Sequence, residues 1–306
     1  MLGFSIPELA VRRRVGGGFP LTVSLLGPGL HPGISVTRAS DGTRITANGE
    51  IAEMGADVAR FDHDPVSGLP RGLLVEPQAS NLVHYAVATS TDWVNLLCTV
   101  TPQNLGELGV FPGVQAASGG ASWHRMNVPL DGWVGGSPLR VRVWFKTGSS
   151  GKAIVVFRNV TAGAESSVKG TIGSLAAAAN NAGPITAIAE QAIGDIRVVE
   201  FTVTPDAAAT SGQLGVGPNS ITPGEDITIL GAQVEAGTTA SSLIVSNGAA
   251  GLREADTIVL NGWTGTYDLE IAYADAATEL RSGVVLAPGH VLTPLTGRRP
   301  VSIKII

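Results

Sequence analysis

LRVRVWFK, residues 139–146, sets Leu139, Val141, Val143 and Phe145 against Arg140, Arg142, Trp144 and Lys146. Strand side chains point alternately to opposite faces, so this period of two describes a half-buried β-strand. The pattern recurs over Ile196–Thr204, where Val199, Phe201 and Val203 share a side. Over Asp226–Glu235, Thr228, Leu230, Ala232 and Val234 oppose Ile227, Ile229, Gly231, Gln233 and Glu235. Tyr267, Leu269, Ile271 and Tyr273 form another such row, and Val301–Ile305 alternates too. An unprotected strand at 301–306 would invite aggregation, so it is expected to be paired. Asp41-Gly42 and Asn48-Gly49 sit between short β-like runs and suggest tight reversals. Ser174–Gly183, rich in Ala and Asn, reads as a short helix or as a loose insertion. Short strands separated by Gly, Pro and Asn turns imply a mainly β protein built on an antiparallel sandwich, not alternating β and α units.

Composition agrees. The 306 residues suit two or three compact units, and 40 Gly with 18 Pro supply many turns. Hydrophobic residues make up 44% and charged residues only 15%. A net charge of −5 gives no global attraction to nucleic acid or to an anionic membrane. The lone Cys98 excludes an intramolecular disulfide framework, and no run approaches the roughly 20 apolar residues that span a bilayer. In MLGFSIPELAVRRRVGGG the basic residues follow the apolar ones, the reverse of a signal peptide, so a soluble protein made in the cytoplasm is expected. Residues 1–30 read as an attachment segment. About two helical turns precede Gly16-Gly17-Gly18, too few to be stable alone. Ile6, Leu9, Arg12, Arg13 and Arg14 are its docking candidates, toward a neighbouring protein or toward the same chain. The triple Arg also reads as a solvated helix end.

Catalytic signatures are weak. Asp62, Asp64 and Glu76 are the carboxylates to weigh for glycosidase chemistry, although Asp-X-Asp-Pro more often builds a side-chain-capped turn. Asp62 and Asp64 also admit a calcium site. His31, His63, His84, His124 and His290 lack metal-ligand spacing, and no phosphate loop, Rossmann glycines or nucleophile elbow is present. No metal, cofactor or catalytic residue is assigned. Trp144, placed with Arg140, Arg142 and Lys146, is the leading functional aromatic. It reads as a sugar platform, a subunit contact, or a surface aromatic covered by cations.

Three stretches carry a resemblance: VTRAS at 36–40, ARFDHDPVSGLPRGLLVEPQASNLVHYA at 59–86, and ILGAQVEAGTTASSLIVSNGAAGLREAD at 229–256. In this order they resemble the frame of phage tail-fibre and head-spike proteins, including those of gene transfer agents. The resemblance implies an Asp-Pro turn and Asn-Leu pair leading into a jelly-roll-like sandwich, which the Gly-Ala-Gln-hydrophobic-Glu-Ala-Gly strand closes. It departs from the family at Ala79-Ser80, where Arg-Thr commonly precedes Asn-Leu. It implies a framework role for Trp123-His124-Arg125 and core packing for Trp93.

The expected organisation is an attachment segment (1–30), a β-rich connector (31–86), a jelly-roll-like sandwich (87–246) and a small C-terminal β unit (247–306). The expected function is that of a noncatalytic particle component, head spike or tail fibre, on the virion surface and assembled in the host cytoplasm. Its implied partners are capsid-vertex or tail proteins, copies of itself as a trimer or pentamer, and host surface polysaccharide. Neither nucleic acid nor membrane insertion is implied. The alternatives are a purely structural spike base or connector and, more distantly, a polysaccharide depolymerase.

Overall fold

The computed structural model describes residues 21–104, 109–160, 163–292, 295 and 298–306. Every element in it is a β-strand. The first seven are β1 (Thr22–Ser24), β2 (Ile34–Thr37), β3 (Gly42–Ile45), β4 (Ile51–Met54), β5 (Phe61–His63), β6 (Pro70–Leu73) and β7 (Ala79–Asn81). The central twelve begin with β8 (Val94–Leu96), β9 (Thr99–Pro102), β10 (Val114–Ala117), β11 (Arg125–Asp131), β12 (Leu139–Thr147) and β13 (Lys152–Asn159). They continue with β14 (Ala164–Thr171), β15 (Ala176–Asn180), β16 (Ile185–Ile193), β17 (Ile196–Val203), β18 (Ser211–Gly217) and β19 (Asp226–Ala236). The last six are β20 (Gly251–Arg253), β21 (Thr257–Leu260), β22 (Gly265–Tyr273), β23 (Thr278–Leu286), β24 (His290–Leu292) and β25 (Pro300–Ile305).

The central strands form two antiparallel six-stranded sheets. Sheet A has the order β16-β17-β12-β19-β10-β9, and sheet B the order β15-β14-β13-β18-β11-β8. Strands β10 to β13 alternate between the sheets, as do β18 and β19, which gives the jelly-roll-like sandwich expected. Leu139, Val141, Val143 and Phe145 are buried between the sheets, with Val199, Phe201 and Val203 of the neighbouring strand. Trp93 is also in this core. Ser174–Gly183 is neither a helix nor a loose insertion, because β15 pairs with β14 at the edge of sheet B.

The segments on either side of the sandwich are not a connector and a separate C-terminal unit. They share one core, in which Val23, Ile34, Val36, Phe61 and Leu73 pack with Ile258, Trp263, Leu269, Ile271 and Ile303. Strand β2 pairs with β21, and β1 with β25. The paired state expected for 301–306 is borne out, since β25 lies between β1 and β22. The sandwich is thus an insertion into a discontinuous base unit, and β7 pairs with β20 where the chain leaves and re-enters it.

One boundary changes accordingly. Residues 21–30, expected in the attachment segment, belong to the base unit, with Val23 and Leu25 in its core. The docking candidates Ile6, Leu9, Arg12, Arg13 and Arg14 lie outside the described residues. Asn48-Gly49 closes the β3–β4 hairpin as expected, whereas Asp41-Gly42 leads from β2 into β3 without pairing them.

Candidate functional site

The stretches that carry the resemblance converge on the junction between the sandwich and the base unit. Three guanidiniums and two carboxylates meet there with little access to water. Arg38 reaches Asp256 at 2.8 Å, and Arg60 bonds the other oxygen of the same carboxylate. Arg60 also pairs with Glu76 at 2.9 Å, and Arg253 with Glu76 at 3.1 Å. Most of the remaining donors are occupied as well: Arg38 donates to the carbonyls of Ser40 and Gly55, Arg60 to that of Thr43, and Arg253 to that of Pro77, while the Nε atoms of Arg60 and Arg253 are buried without a partner. The sandwich contributes Glu235 of β19, whose carboxylate accepts the Ser241 amide and hydroxyl at 2.7 Å each. Ser242 in turn donates its amide and hydroxyl to Glu76. Asn81 completes the join by accepting the Val234 amide and donating to the Ile244 carbonyl. Buried charge is tolerated only when paired and hydrogen-bonded this fully.

This arrangement fixes the acidity of Glu76. Burial opposes its charged form, but Arg253, Arg60 and the two Ser242 bonds prevail and hold the carboxyl below its ordinary value of 4.5. Burial lowers the Arg253 guanidinium, and Glu76 partly offsets this. On acidification the unfolded chain binds a proton at Glu76 before the folded one does. The stability contributed by Glu76 is therefore complete above about pH 4.5 and declines as pH falls through the depressed native value. Urea midpoints measured from pH 7 to pH 3 are expected to fall most steeply below pH 4.5, and a Glu76→Gln variant to show a flatter profile.

Beside the junction an open cleft of about 540 Å³ runs between the outer face of sheet A and the base unit. Its sandwich wall includes Arg142, Trp144, Gln191 and Glu200, and its base wall Arg44, Asp62, Arg71 and Arg299. The strand register of β12 is as expected, because Arg140, Arg142, Trp144 and Lys146 do face away from the sandwich core. Their expected exposure is not found. Trp144 is only 4% exposed and packs with Phe111, Ile51, Val198, Leu230 and Leu243 in a third apolar cluster. Its ring centroid lies 5.6 Å from that of Phe111 and the same distance from the Arg142 guanidinium. A sealed indole is neither an open sugar platform nor a contact for another subunit. Arg140 and Arg142 grip the two oxygens of Glu200 at 2.7 and 2.5 Å, and Lys146 pairs with Asp195 at 2.7 Å. Burial raises and the two arginines lower the Glu200 pKa, leaving it below the usual range.

Asp62 and Asp64 have separate tasks. Asp62 is buried, accepts the Ile45 amide at 2.8 Å and pairs with Arg299 at 2.9 Å. Asp64 accepts the Ser67 and Val66 amides, which depress its pKa, and pairs with Arg71 at 2.5 Å. It therefore caps the 64–68 turn, as the Asp-Pro pattern suggests. Asp64→Ala is expected to lower the melting temperature modestly and Asp64→Asn less, because an amide oxygen still accepts both bonds. A scanning-calorimetry series with the opposite order would refute the capping role. His31 and His124 accept the Gly33 and Gly119 amides, His63 lies 3.2 Å from the Ile45 carbonyl, and His84 lies 3.2 Å from Asp131. Among the described residues no three His, Cys, Asp or Glu side chains are grouped so as to hold a metal ion.

Sequence reasoning did not find the ionic junction. Its signal was a charged residue inside each apolar run: Arg38 in VTRAS, Arg60 in ARFD, Glu76 in LLVEP, Glu235 in AQVEAG, and Arg253 and Asp256 in LREAD. No protein-family model and no curated protein matches the chain. Among solved structures, a mutant of the family 29 carbohydrate-binding module CBM29-2 is similar at a TM-score of 0.30 and 14% identity. The alignment covers 52% of this chain and 91% of that one.

Proposed function

We propose that the chain is a noncatalytic structural component of a phage or phage-like particle, a head spike or tail fibre that displays its sandwich for attachment to host surface glycan. The observation that carries this reading is the convergence of the resembling stretches on one buried junction. The resemblance falls on residues that hold the sandwich to its base, as expected of a frame shared among display proteins. Carboxylate chemistry favours a noncatalytic role over a depolymerase. A glycosidase acid requires a raised pKa, whereas those of Asp64, Glu76 and Glu200 are all shifted downward. Asp62, Asp64, Glu76 and Glu200 each have both oxygens engaged.

The second reading is a connector or spike base that binds only other virion chains; the burial of Trp144 removes one aromatic from the glycan reading without supplying a contact for this one. Cryo-electron microscopy of particles carrying the tagged protein tests the assignment to a vertex or tail, and reads the trimeric or pentameric symmetry directly. Deleting residues 2–20, which spares β1, is expected to leave a folded protein that is no longer incorporated. Normal incorporation of that variant would remove the attachment role of the segment, and absence of the full chain from particles would end the proposal.

A further inference from the structure

The outer face of sheet A is partly covered by the base unit, with the cleft between them, whereas among the described residues the other side of the sandwich carries no such cover. On sheet B, Met126, Val128, Ala153, Val155, Phe157, Val168, Leu214 and Val216 point into the core. Alternation therefore turns Arg125 and Asn127 of β11, Gln213 of β18, Lys152 and Arg158 of β13, and Glu165 and Lys169 of β14 outward. Two glycines of β18 shape this face. A Cβ on Gly215 would stand 2.6 Å from Arg125 Cδ and 2.5 Å from Asn127 Oδ1, and one on Gly217 would stand 2.9 Å from Arg125 Cβ. The Arg125 side chain thus crosses a floor without side chains and reaches Glu165 at 2.5 Å, while its Nε donates to Asn127. The result is a mainly polar face, with Ile154 and Val156 of β13 buried in it, stiffened by the Arg125–Glu165 ion pair.

Trp123 stands at one end of this surface, two residues before Arg125. It is 46% exposed, whereas Trp93, Trp133, Trp144 and Trp263 are 5% exposed or less. Its ring meets that of His124 edge-on at 4.6 Å and 88°. His124 is fixed in turn by accepting the Gly119 amide at 2.9 Å. The charge of the face runs against that of the chain. Arg125, Arg158, Lys152 and Lys169 outnumber Glu165 and, at the far end, Asp131, which faces His84. Exposed Lys152 and Lys169 and half-exposed Arg158, on the same face as a fixed aromatic ring, suit a sugar that offers an apolar ring face together with a carboxylate.

We propose that the outer face of sheet B, from Trp123 across Arg125 and Asn127 to Lys152 and Lys169, binds an acidic polysaccharide. The proposal rests on the glycan-attachment reading and gives it a site and a ligand class. The ring of Trp123 covers the apolar side of one sugar, Gln213 bonds a hydroxyl, and Lys152, Lys169 and Arg158 pair with uronate groups, while the buried Arg125–Asn127 pair holds the floor beneath them. Binding weakens as salt rises, because exposed ion pairs are screened.

The test uses the purified full chain with polygalacturonate, alginate and hyaluronate as probes and neutral dextran as comparison, measured by calorimetry. The wild type is expected to bind at least one polyuronate and not dextran. Trp123→Ala and the Lys152→Glu, Lys169→Glu pair are each expected to weaken binding at least tenfold with an unchanged melting temperature, while Trp123→Phe keeps most of it. Failure to bind all three polyuronates, equal binding of dextran, or unchanged affinity in both variants overturns the site. Because no particle is involved, polyuronate binding by a protein absent from particles would defeat the virion role and leave this site standing. Incorporation into particles without such binding would do the reverse.

Discussion

Asp256→Ala is expected to destabilise the base unit by about 3–5 kcal/mol, as removal of one partner from a buried charge cluster does. Asp256 neutralises Arg38 and Arg60 together and also accepts the Glu76 amide at 3.0 Å. All of these groups are buried, so the alanine leaves Arg38 without a carboxylate and Arg60 with Glu76 alone. Denaturant unfolding should show an early transition for the base unit, with the sandwich melting later. Exchanging Arg38, Arg60 and Asp256 together for apolar residues of similar volume is expected to cost far less, because no charge is then stranded. A loss below about 1 kcal/mol for the single alanine would show that water reaches the cluster.

Trp144→Ala should be nearly as damaging, at about 3–5 kcal/mol, the range for removing a large aromatic from a core. The indole fills the space between sheet A and Phe111, Ile51 and Leu243, and so couples the sandwich to the β3–β4 hairpin. The expected readout is a lower melting temperature with the same oligomeric mass by native mass spectrometry. An unchanged melting temperature with loss of oligomer would restore the subunit-contact reading.

These two residues mark what the chain discloses about itself. Alternation identified the face on which Trp144 lies. It could not show that Ile51, Phe111 and Leu243, distant in sequence, cover that face. The rows of β12 and β17 were legible because their pairing is regular along its length. The row of β19 was legible only in part. Trp144 pairs with Gly231 and Phe145 with Ile229, so a bulge moves Leu230 out of the row of Ala232 and Val234 and into the Trp144 cluster. Gly231 is the local cause, since a Cβ there would stand 2.4 Å from the Ala86 carbonyl oxygen. The ionic junction was hidden for a different reason. Its charges were visible singly, but Arg38 and Asp256 meet across 218 residues, and pairing at that range leaves no local pattern.

The pairing of β1 with β25 sets a timetable for synthesis. Thr22 has Lys304 as its partner, so the first strand of the base unit cannot be matched until almost the whole chain has emerged. At roughly 5–20 residues per second that wait is on the order of 15–60 s. The sandwich, complete by residue 236, has no such constraint and can close first. During the interval Val23, Ile34 and Val36 lack their later neighbours and present apolar edges to solvent. Chaperone demand during biogenesis should therefore fall on the N-terminal strands, although they are the first part of the described fold to be made.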